Sequence, residues 1–259
     1  MTDQPPTPYY QDEKTTIYQG DSLQVLPLVG PVGAIVTDPP YSSGGAFRSD
    51  RTRSTVEKYV STGTAAYRPD FAGDNRDQRS FLFWSTMWLN AAYQIATPGA
   101  PIACFIDWRM LPTLTDAIQA AGWVWRGVAV WDKGFGRPTP GRFSNACEYV
   151  VWGSKGAMPE RDAYPPGVFH SAPPKDRQHI TQKPEAVMSW LLRIIEPGTT
   201  VLDPFMGSGT TLKAAKEGGY QAVGIEADPG FCEIAAKRCA ETLPFTPTVE
   251  VTVEQPGLF

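Results

Sequence analysis

The sequence predicts an α/β fold, a Rossmann-like parallel sheet with helices on both faces. Short β-prone runs alternate with amphipathic segments along most of the chain. Two of these runs, Gly33–Asp38 and Thr199–Asp203, are apolar and end at a carboxylate. The second leads through a glycine-rich turn into a helix and then into a strand that ends at Glu226. Right-handed crossover places the carboxyl ends of two such strands side by side at one edge of the sheet.

The other elements follow from the same alternation. Residues 1–13 are polar and rich in proline, which predicts a loose tail. Thr15–Tyr18 is β-prone and leads to Asp21, a good helix N-cap, before a short helix over 22–28. Further strands are predicted over 100–106, 123–131, 145–152 and 248–253, and further helices over 80–97 (capped by Ser80), 112–121, 184–196 and 230–242.

Composition is that of an ordinary globular chain. With 259 residues, of which 42% are hydrophobic and 19% charged, the chain can form a single domain over 1–259. Its apolar runs are too short to span a bilayer and its first residues lack a secretory pattern, so a cytoplasmic protein is expected. The four cysteines form no C-x-x-C pair, and no metal site is expected. A net charge of −4 counts against binding a polyanion without excluding it, because local Lys and Arg residues determine that affinity.

The stretch Asp38-Pro39-Pro40-Tyr41 lies where a buried strand stops. Prolines cannot continue a ladder and hold the backbone extended, which leaves neighbouring carbonyls free to accept hydrogen bonds. The Asp38 carboxylate, the Pro39 carbonyl and the flat ring of Tyr41 together suit a planar group that carries an NH2. The alternative is a proline-rich turn with a solvated aspartate, and these four residues alone do not separate the two.

Two motifs carry a family resemblance. Asp38-Pro39-Pro40-Tyr41 resembles the Asp-Pro-Pro-Tyr motif of the S-adenosylmethionine-dependent amino-methyltransferases that act on the exocyclic nitrogen of adenine or cytosine in DNA. Val201–Thr211 is similar to the cofactor loop of that family, and the resemblance covers most of residues 15–240. It implies that the catalytic residues are Asp38, Pro39, Pro40 and Tyr41.

The order of the motifs is the reverse of the commoner methyltransferase order, because the catalytic motif comes first. This order resembles the β group of the family, which implies a circularly permuted class I methyltransferase sheet. Permutation changes the fold little, since the sheet edge stays intact whichever loop is cut. In that sheet the strand ending at Asp38 would neighbour the strand ending at Asp203, which brings methyl acceptor and methyl donor to one crevice.

The second motif has the chemistry for a nucleoside cofactor. Gly207 and Gly209 permit unusual dihedrals and close approach of a ligand, and Glu226 can accept both ribose hydroxyls. A dinucleotide-dependent oxidoreductase is a competing interpretation. Leu212, however, stands where its loop needs a third glycine or alanine, and Asp203 would repel a pyrophosphate. S-adenosyl-L-methionine is therefore the favoured cofactor, and the residues expected to bind it are Asp21, Asp38, Lys183, Asp203, Pro204, Phe205, Gly207, Ser208, Gly209, Thr210 and Glu226.

Two of these assignments depend on the resemblance. Asp21 resembles the acid that contacts the cofactor adenine, although it suits a helix N-cap equally well, and the two roles can coexist. Lys183, within Gln182-Lys183-Pro184, resembles the lysine that meets the methionine carboxylate. Its position before the cofactor loop is what distinguishes it from a surface charge.

Two inserted segments are candidates for contact with double-stranded DNA. Segment 42–79 is long, polar and rich in arginine, and it predicts either a flap that contacts DNA or a solvated segment. Segment 132–178 begins with a basic loop rich in Gly and Pro and contains the region where the resemblance puts target recognition. Its candidate phosphate contacts are Lys133, Arg137 and Arg142.

The motifs and the resemblance together predict a site-specific DNA methyltransferase that acts on the N6 of a flipped adenine, as in restriction–modification. An Asp at the first motif position is more typical of adenine enzymes, and the alternative target is the N4 of cytosine. A non-catalytic DNA-binding relative is a further alternative, against which the intact motifs argue. The recognition sequence and the oligomeric state, a homodimer included, stay open.

Overall fold

The computed structural model describes residues 6–41, 76–136, 138, 140–173 and 183–244. The strands are β1 (Tyr10–Gln11), β2 (Thr15–Gln19), β3 (Ala34–Thr37), β4 (Pro101–Ile106), β5 (Val124–Asp132), β6 (Cys147–Ser154), β7 (Val168–His170), β8 (Thr200–Asp203) and β9 (Gln221–Glu226). The helices are α1 (Ser22–Val25), α2 (Gln78–Ile95), α3 (Leu111–Ala120), α4 (Glu185–Leu192), α5 (Thr210–Glu217) and α6 (Pro229–Glu241), with a 3-10 turn over Leu26–Leu28. The predicted strand over 248–253 lies outside the described residues.

The strands form one sheet in the order β1-β2-β9-β8-β3-β4-β6-β5-β7. Its centre, from β2 to β4, is parallel, as predicted. At the two sides of this parallel centre, β1 and β6 each run antiparallel to their neighbours. The described residues of the link from β5 to β6 form no helix that could carry a parallel crossover, and these two strands pair as a hairpin. Strand β7 lies within segment 132–178 and was not among the predicted strands.

Two apolar cores cover the two faces of the sheet, and helices pack on each. One core contains buried residues of α4, α5 and α6, and the other contains buried residues of α1, α2 and α3. Residues of β3 alternate between them: Ala34 and Val36 face the first core and Ile35 faces the second. Helices on both faces are therefore confirmed.

The first turn of α2 differs from the prediction. Asp77, not Ser80, is the N-cap, and its carboxylate accepts hydrogen bonds from the amides of Arg79 and Ser80. Aspartate is at least as good an N-cap as serine, and here it comes one turn earlier. Phe81 and Trp88 of this helix are fully buried and belong to the core. No helix in the described ranges is long and apolar enough to cross a membrane.

Candidate active site at the carboxyl edge of the sheet

An acidic residue follows or ends each of the five neighbouring parallel strands. In spatial order across β2, β9, β8, β3 and β4, these residues are Asp21, Glu226, Asp203, Asp38 and Asp107. Strand pairing fixes this order: Leu202 pairs with Ile35, Asp203 with Gly224, and Gln19 with Glu226. Parallel strands present their carboxyl ends at one edge, so the two motifs predicted to work together share that edge.

Asp38 is surrounded by donors from its own motif and from distant segments. The Tyr41 hydroxyl donates to Oδ1 of Asp38, and the Lys183 Nζ lies 2.5 Å from Oδ2. The same Nζ is 3.2 Å from Oε2 of Glu148, at the start of β6, and 5.2 Å from the centre of the Tyr41 ring. The side chain of Lys183 is 5% exposed, whereas those of Asp38 and Glu148 retain 20% and 21% exposure. A buried cation therefore lies between two acidic side chains that are partly exposed.

The charge state of this cluster follows from burial and pairing. Burial raises the pKa of Asp38 above its usual value, although Lys183 opposes the shift. Despite its own burial, Glu148 has a lowered pKa, because Lys183 and Lys133 stabilise its ionised form. Burial alone would lower the pKa of Lys183, but Asp38 and Glu148 raise it. Lys183 is consequently charged near neutral pH.

Asp203, at the end of β8, is hydrogen-bonded to the end of β3. Thr37, the residue before Asp38, donates from Oγ1 to Asp203 over 2.7 Å, a bond between residues 166 positions apart. The amide of Phe205 donates to the same carboxylate over 3.1 Å. Asp203 is 2% exposed, and burial raises its pKa to about 6 despite these hydrogen bonds.

The turn after β8 is held against the end of β9. Gly207 and Gly209 have φ angles of 50° and 78°, in the left-handed region that glycine adopts readily. The amide of Gly207 donates to Oε2 of Glu226 over 3.0 Å. Asp21 lies at the same rim, since the amide of Gly20 donates to the Glu226 carbonyl over 2.9 Å. Asp21 also caps α1 by accepting from the amide of Leu23, as the sequence predicts.

Other predicted cofactor residues lie in less accessible positions. Ser208 and Thr210 are 1% and 5% exposed, and both contact the guanidinium of Arg238. The Pro204 carbonyl accepts a hydrogen bond from the Ser22 hydroxyl. Phe205 packs against Trp84 and Trp88 of α2, with ring centres 5.3 and 5.2 Å away. Contacts of these four residues with neighbouring helices therefore hold the turn in place.

Sequence reasoning missed three side chains that hold the site together: Thr37, Glu148 and Arg238. Arg238 donates to the Ser208 carbonyl over 2.8 Å and to Glu185 at the start of α4 over 3.1 Å. Arg238 lies in the last predicted helix, among the residues that the helix buries. Its charge at a buried position was the one sequence signal of a special role. Glu148 stood inside a predicted strand, and only the pairing of β6 with β4 brings it to the site.

The candidate DNA contacts are only partly described. The Nζ of Lys133 lies 3.4 Å from Oε1 of Glu148, and Arg142 is exposed. Arg137 and residues 42–75 lie outside the described residues. Within the described ranges no group of three or more His, Cys, Asp or Glu side chains is arranged to hold a metal ion. Cys104 is buried, and burial raises the pKa of its thiol well above the usual value, so it is no nucleophile.

Comparisons with known proteins agree with this architecture. A family model of N6 and N4 methyltransferases, described as DNA methylase, matches residues 32–171 and 160–237. The type II methyltransferase M2.LlaDCHI of Lactococcus lactis subsp. cremoris is 24% identical over 261 residues, covering 89% of this chain and 91% of the relative. The crystal structure of the M1.HpyAVI–SAM complex has a TM-score of 0.63 at 23% identity and covers 86% of this chain and 98% of its own. The PvuII DNA methyltransferase (cytosine-N4-specific) has a TM-score of 0.67 at 18% identity, with 89% and 88% covered.

Proposed function

Because the chain belongs to the N6/N4 family of S-adenosylmethionine-dependent DNA methylases, we propose that it methylates the exocyclic N6 of an adenine turned out of duplex DNA. The observation that carries the proposal is the shared edge of β3 and β8. There the Thr37–Asp203 hydrogen bond joins the proposed acceptor motif to the cofactor turn. Two catalytic functions, holding a nucleobase and holding a methyl donor, thus have adjacent sets of residues.

The residues beside the glycine turn fit the proposed cofactor. Glu226 and Asp21 supply carboxylates at the rim for the ribose hydroxyls and the adenine, and Asp203 supplies one for the amino group of the methionine moiety. Lys183 would hold the methionine carboxylate. It would either move away from Asp38 or use its three N–H donors to bond both carboxylates at once. When bound, the cofactor supplies an electrophilic methyl group on a sulfonium. No phosphate is involved, which suits an acidic rim.

The acceptor motif suits an exocyclic amino group. Asp38 and the Pro39 carbonyl would accept its two N–H bonds, and Tyr41 would stack on the base with the ring face opposite Lys183. These bonds favour a tetrahedral nitrogen with its lone pair directed at the methyl group, so they strengthen as the transition state forms. The nitrogen loses one proton on methylation, and Asp38, whose pKa burial has raised, is the nearest base.

Adenine is preferred over cytosine because an Asp opens the motif. Both bases present an amino group beside a ring nitrogen, and one structural neighbour is a cytosine-N4-specific enzyme. The type II relative suggests restriction–modification as the setting. We further propose the 42–79 segment, Lys133, Arg137 and Arg142 as contacts with DNA phosphates.

The experiment is transfer of tritiated methyl groups from labelled cofactor to duplex DNA, followed by nucleoside analysis and mapping of the modified sites. N6-methyladenine is the expected product, and N4-methylcytosine would refute the adenine assignment. Asp38→Ala should abolish transfer while cofactor binding, measured by calorimetry, persists. The matched control is Asp107→Asn, because Asp107 ends the next strand but bonds Arg109 and Met110. If Asp38→Ala transferred methyl groups as well as an active Asp107→Asn control, Asp38 would have no catalytic role.

A further inference from the structure

We propose that Phe143 inserts into the DNA base stack and occupies the space that the target nucleotide leaves, an inference that rests on the proposed function. Phe143 lies in the β5–β6 hairpin loop, residues 133–146. Its side chain is fully exposed, with a relative accessibility of 101%, and Phe135 in the same loop is 65% exposed. Two largely exposed aromatic rings therefore lie in one short loop.

The topology places the start of this loop at the sheet edge that carries the candidate active site. Strand β5 runs parallel to β4, since both are antiparallel to β6, so the loop begins at the carboxyl edge of the sheet. The amide of Lys133 donates to the Ala146 carbonyl over 2.8 Å, which closes the base of the loop. Gly136 lies so near the backbone of Asn145 that a Cβ would be 2.9 Å from its carbonyl. The two arms of the loop are thus held together below Phe143.

A chain of ionic contacts joins the loop to the proposed catalytic carboxylate. Lys133 is 3.4 Å from Glu148, Glu148 is 3.2 Å from Lys183, and Lys183 is 2.5 Å from Asp38. Lys133, the first residue of the loop, is therefore linked through these contacts to the carboxylate beside which the nucleobase would be methylated.

The composition of the loop favours DNA as the occupant. Arg142, next to Phe143, is exposed and carries the charge that a phosphate attracts. Apolar wedges such as Phe inserted at a base step are a recurrent way to unstack and kink a duplex. Extrusion of a base leaves such a gap and costs unstacking energy, which a ring that fills the gap offsets in part.

The test uses a duplex that carries the mapped target site with 2-aminopurine in place of the target base. The fluorescence of this probe rises when it leaves the stack. For the wild type we expect a clear rise, and for Phe143→Ala a rise at least fivefold smaller, with unchanged cofactor affinity. Phe143→Trp should retain most of the signal, because another flat ring can stack. The matched control is Trp125→Ala, an aromatic residue that is 43% exposed at the far end of β5, and it should behave as wild type.

A mismatch at the target site separates a wedge from an ordinary contact. Mismatched bases cost less to extrude, so the methylation defect of Phe143→Ala should shrink at least threefold on the mismatched duplex. An equal defect on both duplexes, or normal flipping by Phe143→Ala, would overturn the proposal. A change in sedimentation of Phe143→Ala without DNA would instead make this ring a contact between two copies of the chain and would also overturn it. Failure of the proposed function is distinguishable, since the wild type itself would then transfer no methyl group.

Discussion

Removal of the Lys183 charge is the most informative perturbation, because the cation lies between two carboxylates. In Lys183→Met the aliphatic volume is kept while Asp38 and Glu148 lose their shared counter-ion. Breaking a buried ion pair by deleting one partner costs about 3–5 kcal/mol. The 5% exposure of Lys183 supports that range, and the partial exposure of the two carboxylates favours its lower end.

The stability lost in Lys183→Met should depend on pH. Without Lys183 the folded-state pKa values of Asp38 and Glu148 lie above their unfolded values. A group with a raised folded pKa contributes stability below its unfolded pKa and loses it as pH rises through the folded pKa. The variant should therefore be less destabilised at pH 5 than at pH 8.

The assay is equilibrium unfolding in urea, followed by tryptophan fluorescence at both pH values. Lys213→Met is the control, since Lys213 also bridges two acids, Glu185 and Glu217, but is 23% exposed. Its loss should stay below about 1 kcal/mol. Adding Glu148→Gln to Lys183→Met should restore part of the stability by removing one unpaired charge. A Lys183→Met loss under about 1 kcal/mol that is equal at both pH values would refute the assignment of Lys183 as a buried counter-ion.

Two further predictions concern the cofactor side of the edge. Arg238→Met should weaken S-adenosylmethionine binding about tenfold in calorimetry, or about 1.4 kcal/mol, because the Ser208 carbonyl and hydroxyl lose their donor. Arg238→Lys should recover part of this affinity. An unchanged affinity in Arg238→Met would make Arg238 purely structural. Asp203 has a pKa of about 6, so cofactor affinity should fall as pH drops below 6 and the carboxylate loses its charge. Asp203→Asn should flatten this dependence, and a wild-type affinity that is constant from pH 5 to 8 would contradict the proposed contact.

Local sequence signals predicted the parts of the fold that depend on local chemistry. The strand that stops at Pro39 and the helix that begins after Gly209 both lie where propensity and turn chemistry put them. The direction of β6 was less accessible, because antiparallel and parallel strands have the same apolar pattern when both faces are buried. The absence of a helical pattern between β5 and β6 was the signal that favours a hairpin.

The proposed site residues could be assigned from motifs, but their partners could not. A motif identifies Asp38 and Lys183, yet their 2.5 Å contact joins segments 145 residues apart. Glu148 completes the cluster because β6 returns beside β4, and no spacing within the sequence encodes that neighbour. Arg238 is similar, since its bonds to the cofactor turn depend on how α6 packs beside α5. Electrostatic partners from remote elements are therefore what the structure adds.

The start of α4 links the two halves of the proposed site. Lys183 contacts Asp38 of the acceptor motif, and Glu185, two residues later, contacts Arg238, which holds the cofactor turn at Ser208. Pro184, whose ring fixes its φ, lies between these two residues at the N-cap of α4. If a ligand that draws Lys183 away from Asp38 also disturbs the Glu185–Arg238 pair, binding at the two proposed sites is coupled. By linkage, each ligand would then alter the affinity for the other by the same factor.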